Sequence, residues 1–186
     1  MPLRWTGLLS HLHWDMMSGM TDNDEATESQ ANFLCKACGL CCTGHLFIWT
    51  KLRSAELDPI ETLGLKVIRS VPSQRGFNQP CPLWQGQCTI YDTPHYPRFC
   101  HTYKCKLLKE LLDESTSLPQ ALTVIEQAKE KIREVEALLP PSPNANFRER
   151  LAAQLETEGT DLTFRRKAEA LLVLYEKVFG VKDVID

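Results

Sequence analysis

Cysteine supplies the chemistry that this sequence spaces most closely. The string CKACGLCC places Cys35, Cys38, Cys41 and Cys42 in one short stretch, and Cys81, Cys88, Cys100 and Cys105 complete the eight in the chain. Thiolates are soft ligands, and two-residue gaps on a turning backbone let their sulfurs converge on one metal centre. The spacing of Cys35, Cys38 and Cys41 matches the first three ligands of the bacterial ferredoxin run, where a tight loop wraps an iron–sulfur cluster. Cys81, followed by Pro82, offers a remote fourth ligand. Zinc is the alternative, because all-cysteine tetrahedral sites with short gaps are common structural zinc sites. Two features weigh between the metals. Adjacent Cys41 and Cys42 do not easily aim at one tetrahedral ion, and they fit two neighbouring centres or a multi-metal cluster better. Structural zinc also favours two separated pairs, whereas the first block here is a triplet plus one. All eight cysteines are expected metal ligands, with an iron–sulfur cluster preferred and zinc as the alternative.

Two blander readings compete. Free cysteine is often just a small buried hydrophobe, but eight at this spacing argue against that. A disulfide framework would require export to an oxidising compartment. The N-terminal stretch MPLRWTGLLSHLHWDMM is interrupted by Ser10, His11 and His13 and does not read as a signal peptide. A cytosolic, reducing setting is expected instead. His45 and His101 stand near cysteines as further ligands or donors to sulfur, although an ordinary hydrogen-bonded histidine is the simpler reading of each. His95 reads as a loop residue. Trp49, Trp84, Phe99 and Tyr103 are available to keep water from a centre, or simply to pack. A Gly-rich phosphate loop, GxSxG and HExxH are all absent from the sequence.

The totals bound the rest. The chain has 186 residues, 43% hydrophobic, with a net charge of −3 and a pI near 6.0. That balance carries no broad basic footprint for nucleic acid. No apolar run reaches the roughly 18 residues that a membrane span needs. The expected partner is another protein, with neither nucleic acid nor membrane.

The elements that position the cysteines fall into three regions. Residues 1–30 are polar and acidic towards their end and are expected to be disordered or a non-native extension, with Met16, Met17 or Met20 as a candidate true start. Residues 31–106 form a cysteine-cluster metal-binding domain punctuated by glycine and proline, which predicts short elements and loops. Within it, residues 45–49 and 88–91 read as short extended pieces. Residues 54–65 read as a helix that breaks near Pro59. Residues 107–186 form a C-terminal helical region. An amphipathic helix over residues 104–114 presents Leu107, Leu108, Leu111 and Leu112. A second seam runs through Leu118, Ala121, Ile125, Ala128, Ile132, Val135 and Leu139 at spacings of three and four. A proline-rich turn, a short helix over 146–156 and a last helix capped by Asp161 follow. The last seam comprises Phe164, Ala168, Leu171, Tyr175 and Val178, and Gly180 ends it. The expected fold is mainly α with irregular loops: a small cysteine-rich core followed by an antiparallel helical pair.

The two cysteine blocks, CKACGLCC and CPLWQGQCTIYDTPHYPRFCHTYKC, resemble the YkgJ-type cysteine-cluster family, a zinc- or iron-chelating domain defined by a CxxCxxCC block. Ile90 and Tyr91 match its second block. The resemblance covers roughly residues 33–106. This chain departs from it in a longer gap before Cys100, where Tyr96 stands in place of the arginine of many members. The resemblance implies metal binding by the eight cysteines. Electron transfer, cluster or metal handling, or partner docking is the expected task. A zinc-stabilised interaction protein and a cluster-dependent protein-modifying enzyme are the alternatives. Some longer relatives are similar to flagellin lysine N-methylases, but nothing in this short helical tail carries methylation over.

Overall fold

A computed structural model describes residues 29–143 and 145–182. The expectations for the N-terminal extension and its start site lie outside the described residues, save that Ser29 and Gln30 open the first helix.

The described chain is mostly helical, with one small sheet. Helix α1 (Gln30–Cys38) carries the first two cysteines, so this part of the CxxCxxCC block is helical and not a loop as expected. Ser29 starts it by accepting a hydrogen bond from the Asn32 backbone N–H at 3.2 Å. Gly39 ends it with a left-handed φ of 70°. The chain then curls, because the His45 and Leu46 backbone N–H groups both donate to the Leu40 carbonyl. That bonding excludes a strand over 45–48, and β1 (Trp49–Lys51) begins only at Trp49.

A 3-10 turn (Ser54–Glu56) leads into α2 (Leu57–Thr62). Pro59 is the third residue of α2. Its missing N–H falls among the donors that a first turn leaves unbonded anyway, so the break comes before Leu57 and not at the proline. Strands β2 (Val67–Ile68) and β3 (Gly76–Asn78) complete an antiparallel sheet in the order β1-β3-β2. Thr50 pairs with Phe77, and Val67 pairs with Phe77 from the other side. Leu52, Leu57, Ile60, Leu65 and Phe77 form the small core beneath it. The expected extended piece at 88–91 is a turn. Only Cys88 joins a bridge, to Trp84, while Thr89 N–H donates to the Leu83 carbonyl and Thr93 N–H to that of Ile90.

The helices α3 (Arg98–Thr102), α4 (Lys106–Leu112), α5 (Leu118–Glu136), α6 (Phe147–Glu156) and α7 (Leu162–Leu174) follow. Leu107, Leu108 and Leu111 of α4 are buried, but Leu112 faces outward at 45% exposure. The α5 seam is buried as its spacing requires, from Ala121 to Val135, with Leu139 just beyond the helix. Ser117 and Gln120 form a reciprocal capping box at its start. Asp161 caps α7 by accepting from the Thr163 and Phe164 N–H groups.

Helices α5 and α7 pack together and run in opposite directions. Glu134, late in α5, pairs with Lys167, early in α7. Ile125, early in α5, lines the same cavity as Phe179, beyond the end of α7. The last turn, Tyr175–Phe179, is a π-turn. Phe179, four residues after Tyr175 and 1% exposed, is the deeply buried seam residue there, and the expected Val178 packs partly buried against the same core. Gly180 terminates it at φ 74°. Leu34, Leu40 and Leu46, from around the first cysteine block, share one core with these helices.

Candidate metal centre

Cys35 and Cys38 stand one helical turn apart on α1, a spacing that puts both on one face. Cys41 and Cys42 follow in the turn after Gly39. Cys105 is the N-cap of α4, where the Leu108 backbone N–H donates to its Sγ at 3.4 Å. Because α1 packs against α4 and α5, Cys38, Cys41 and Cys105 all rest against the large helical core. Cys81 instead rests against the small core under the sheet. Cys100 is carried by α3, and Cys88 by its bridge to Trp84. All eight are partly buried free thiols.

Three contacts bring the second block to the first. The Cys81 backbone N–H donates to the Cys42 carbonyl at 2.7 Å. The Trp84 ring lies on Gly39 so closely that a Cβ there would fall 2.1 Å from a ring carbon. The third contact runs from Tyr91, whose hydroxyl donates to Asn32 Oδ1 at 3.0 Å and whose ring lies 5.5 Å below the Lys36 ammonium.

Electrostatics sort the thiols. Burial is the main cause that raises the proton affinity of each, and for most of them neighbouring thiols add to it. Cys35 is pushed up to about 11 and Cys38 to about 12, and both feel Cys105. Cys41 rises well above its ordinary range and feels Cys38, Cys42, Cys105 and Cys35. Cys42 also rises strongly, but its first neighbours are Cys100, Cys88 and Cys81. Cys100 is pushed up to about 12 and feels Cys81 and Cys88. Cys81 rises by burial and then through Cys88. Burial also raises Cys88 and Cys105, against backbone hydrogen bonds that lower them. By these couplings Cys35, Cys38 and Cys41 group with Cys105. Cys42 and Cys100 couple instead to Cys81 and Cys88. The adjacent pair Cys41 and Cys42 divides between the sets, and Cys35 feels members of both.

A cavity of ≈ 60 Å³ is lined by the first set and Cys42, and closed by Leu34, Leu46, Ile125, Phe179 and Tyr103 among others. As placed, no three His, Cys, Asp or Glu side chains among the described residues close on a point that would hold a single metal ion. The donor chemistry nonetheless fits a metal. Buried thiols that raise one another's proton affinity stay protonated near neutrality, and a cation among them would displace those protons and compensate the thiolate charge.

The histidines take other roles. His45 Nδ1 is 2.7 Å from Thr43 Oγ1 and its ring stands 5.0 Å from that of Phe147; burial holds its pKa below the ordinary value. His101 is exposed and edge-on to Tyr96, and His95 is exposed. Among the aromatics, Tyr103 lines the cavity, Trp84 clamps Gly39, and Phe99 stacks on Tyr103 at 5.8 Å. Trp49 sits over Gly76 on the sheet.

Two positioning residues were not singled out from the sequence. Arg148 on α6 is fully buried at 0% exposure. Its Nη1 donates to the His45 carbonyl at 3.5 Å, and its guanidinium lies 5.6 Å from the Tyr175 ring centroid. It thereby ties the loop behind Cys42 to the last helix. Its signal was available: with Leu151, Ala152 and Leu155 it shares a helical face. Glu56 is the second. Its carboxylate accepts from the Arg53 and Arg98 backbone N–H groups at 2.6 and 2.7 Å, and so anchors the start of the Cys100 helix.

Among the described residues no helix is long and apolar enough to cross a membrane. No family model matches the chain, and neither does any curated protein or solved structure.

Proposed function

We propose that this chain is a metal-binding protein whose eight cysteines make two four-thiolate centres. Cys35, Cys38, Cys41 and Cys105 hold one, and Cys42, Cys81, Cys88 and Cys100 hold the other. What supports the reading is that eight partly buried thiols gather from both cysteine blocks, with Cys41 nearest in its electrostatics to Cys38 and Cys42 to Cys100, Cys88 and Cys81. The resemblance of the two cysteine blocks to the YkgJ-type family supports it.

Iron–sulfur is the preferred occupant of the first centre. Its thiols, together with Cys42, line a partly open apolar cavity, a setting suited to a cluster that needs several thiolates and little water. Such a cluster would supply one-electron transfer. The chain's own part is to bind and shield it: leucines and Phe179 exclude water, and the Leu108 N–H directed at Cys105 Sγ favours the more oxidised, less negative state least and the reduced state most. Electron transfer, cluster or metal handling, or docking to a protein partner in the cytosol are the tasks this fits. Two sets of four thiolates are also what two closed tetrahedral zinc sites require, and that count favours a zinc-stapled interaction protein as the second reading.

Metal and acid-labile sulfide analysis of anaerobically purified protein, with visible and electron paramagnetic resonance spectra, decides between them. Brown protein with iron and sulfide is expected. Colourless protein with two zinc ions sinks the iron–sulfur reading, and protein without metal sinks both. Cys38→Ser and Cys88→Ser should each remove about half of the metal. Loss of all metal in either variant contradicts two separate centres.

A further inference from the structure

The cleft on the sheet side of α3 has the opposite electrostatic character to the acidic chain around it. It measures ≈ 470 Å³, and Lys51, Arg53, Arg75 and Arg98 line it. That volume is in the range of small-molecule sites. The four cations come from three separate stretches: the end of β1 and the turn after it, the residue before β3, and the first residue of α3. Four cations meeting from three segments, in a chain of net charge −3, cannot be one solvated helix face.

The cleft is built around its charges. The one carboxylate in its lining, Glu56, has both oxygens engaged by the Arg53 and Arg98 backbone N–H groups. It therefore holds those two residues in place without pairing with their guanidinium groups. Arg75 Nη1 donates to Ser54 Oγ at 2.7 Å, which orients the guanidinium. Its Nε is buried and lacks a hydrogen-bond partner. None of the four cations is in an ion pair among the described residues. Phe99 and Thr102 supply an apolar wall and a hydroxyl from α3.

We propose that this cleft binds a small dianionic molecule, through a phosphoryl group or a pair of carboxylates, held between Lys51, Arg53, Arg75 and Arg98. Guanidinium groups suit both, since their planar forks match two oxygens at once. The Cys100 helix carries Arg98, Phe99 and Thr102, so the ligand sits against the same short helix that holds a thiol of the second set. The inference does not depend on the identity of the metal.

The test is titration of the full chain, as purified, with inorganic phosphate and with succinate. Calorimetry and the Arg75 Nε–H resonance report binding, at low salt where screening is weak. One-to-one binding is expected, weakening steeply as salt is added. Arg75→Gln should weaken it roughly tenfold or more, as loss of a charge-assisted hydrogen bond does. Arg75 is partly buried, so Lys51→Gln and Arg98→Gln, at exposed positions, guard against misfolding and should each weaken binding severalfold. Binding of phosphate alone assigns a phosphoryl ligand, and of succinate alone a carboxylate. The proposal is overturned if neither dianion binds, if Lys51→Gln and Arg98→Gln bind like the parent, or if only an acidic peptide binds.

Discussion

Ala121, Ile125, Ala128, Ile132 and Val135 on α5 are buried against a helix whose own seam repeats the same spacing, and the core they share runs on to Leu34, Leu46, Leu151 and Phe179. Beneath the sheet the buried core is Leu52, Leu57, Ile60, Leu65 and Phe77. Each such side chain contributes ~1.5–3 kcal/mol on burial, while ordering one residue costs ~1–2 kcal/mol of backbone entropy. Five side chains therefore offset the ordering of only a few residues, and the loops between β1 and α4 are far longer than that. The helical half holds itself by packing. The sheet half leans on hydrogen-bonded turns, on the Trp84 clamp over Gly39 and, under the proposed function, on metal bound at the boundary between the two cores. The lesson is that the thiols span the two cores, Cys38, Cys41 and Cys105 against the large one and Cys81 against the small one, and a metal there would serve as staple as well as cofactor.

Alkaline pH should strike this boundary hardest. Cys35 rises from an ordinary value of 9.0 to about 11, and Cys38 and Cys100 to about 12. The folded, metal-free chain thus holds protons that the unfolded chain releases. The stability these thiols contribute is complete below pH 9 and is lost as pH rises towards 11–12. At ~1.4 kcal/mol per unit per thiol, the loss rivals a total stability of ~5–15 kcal/mol. Chelated protein is expected to unfold by about pH 11 in a circular-dichroism titration. A flat profile from pH 8 to 11 would show that the thiols are not buried in the folded chain.

Leu171→Ala comes next. It opens a cavity in the helical core, where Leu171 is 0% exposed, and should cost about 3 kcal/mol by denaturant unfolding with metal content unchanged. Metal loss in that variant would mean the two halves are not held separately. Gly39→Ala should cost about 2 kcal/mol and should also release metal, because the new Cβ collides with Trp84. Gly159→Ala is its control. That glycine shares the positive φ but has open space around it, so about 1 kcal/mol and no metal loss is expected. Equal costs at the two glycines would remove the Trp84 clamp from the account.

The two halves also differ in how readily they are read. Helix α5 was legible because its seam repeats with the helix period and a proline-rich turn follows it, while the Ser117 and Gln120 start signal went unread. Helix α1 was hidden by the glycine and cysteines of CKACGLCC, which suggested a loop, although Ser29 is an ordinary cap. The strands β2 and β3 are too short to show alternation. Val178, read onto the last seam, does pack against the core, but neighbouring Phe179 is the more deeply buried, and both stand at helical spacing from Tyr175.

The sequence by itself determined the helical seams, their caps at Asp161 and Gly180, and the chemistry on offer, eight thiols in two blocks. Those follow from periodicity and local hydrogen bonding, which act over a few residues. Only the tertiary structure decided which thiols face which, that Arg148 is buried behind His45, and that Lys51, Arg53, Arg75 and Arg98 meet in one cleft. These pairings join residues far apart in the chain. They depend on how the long loops close over α1 and the sheet, and no local period records that closure.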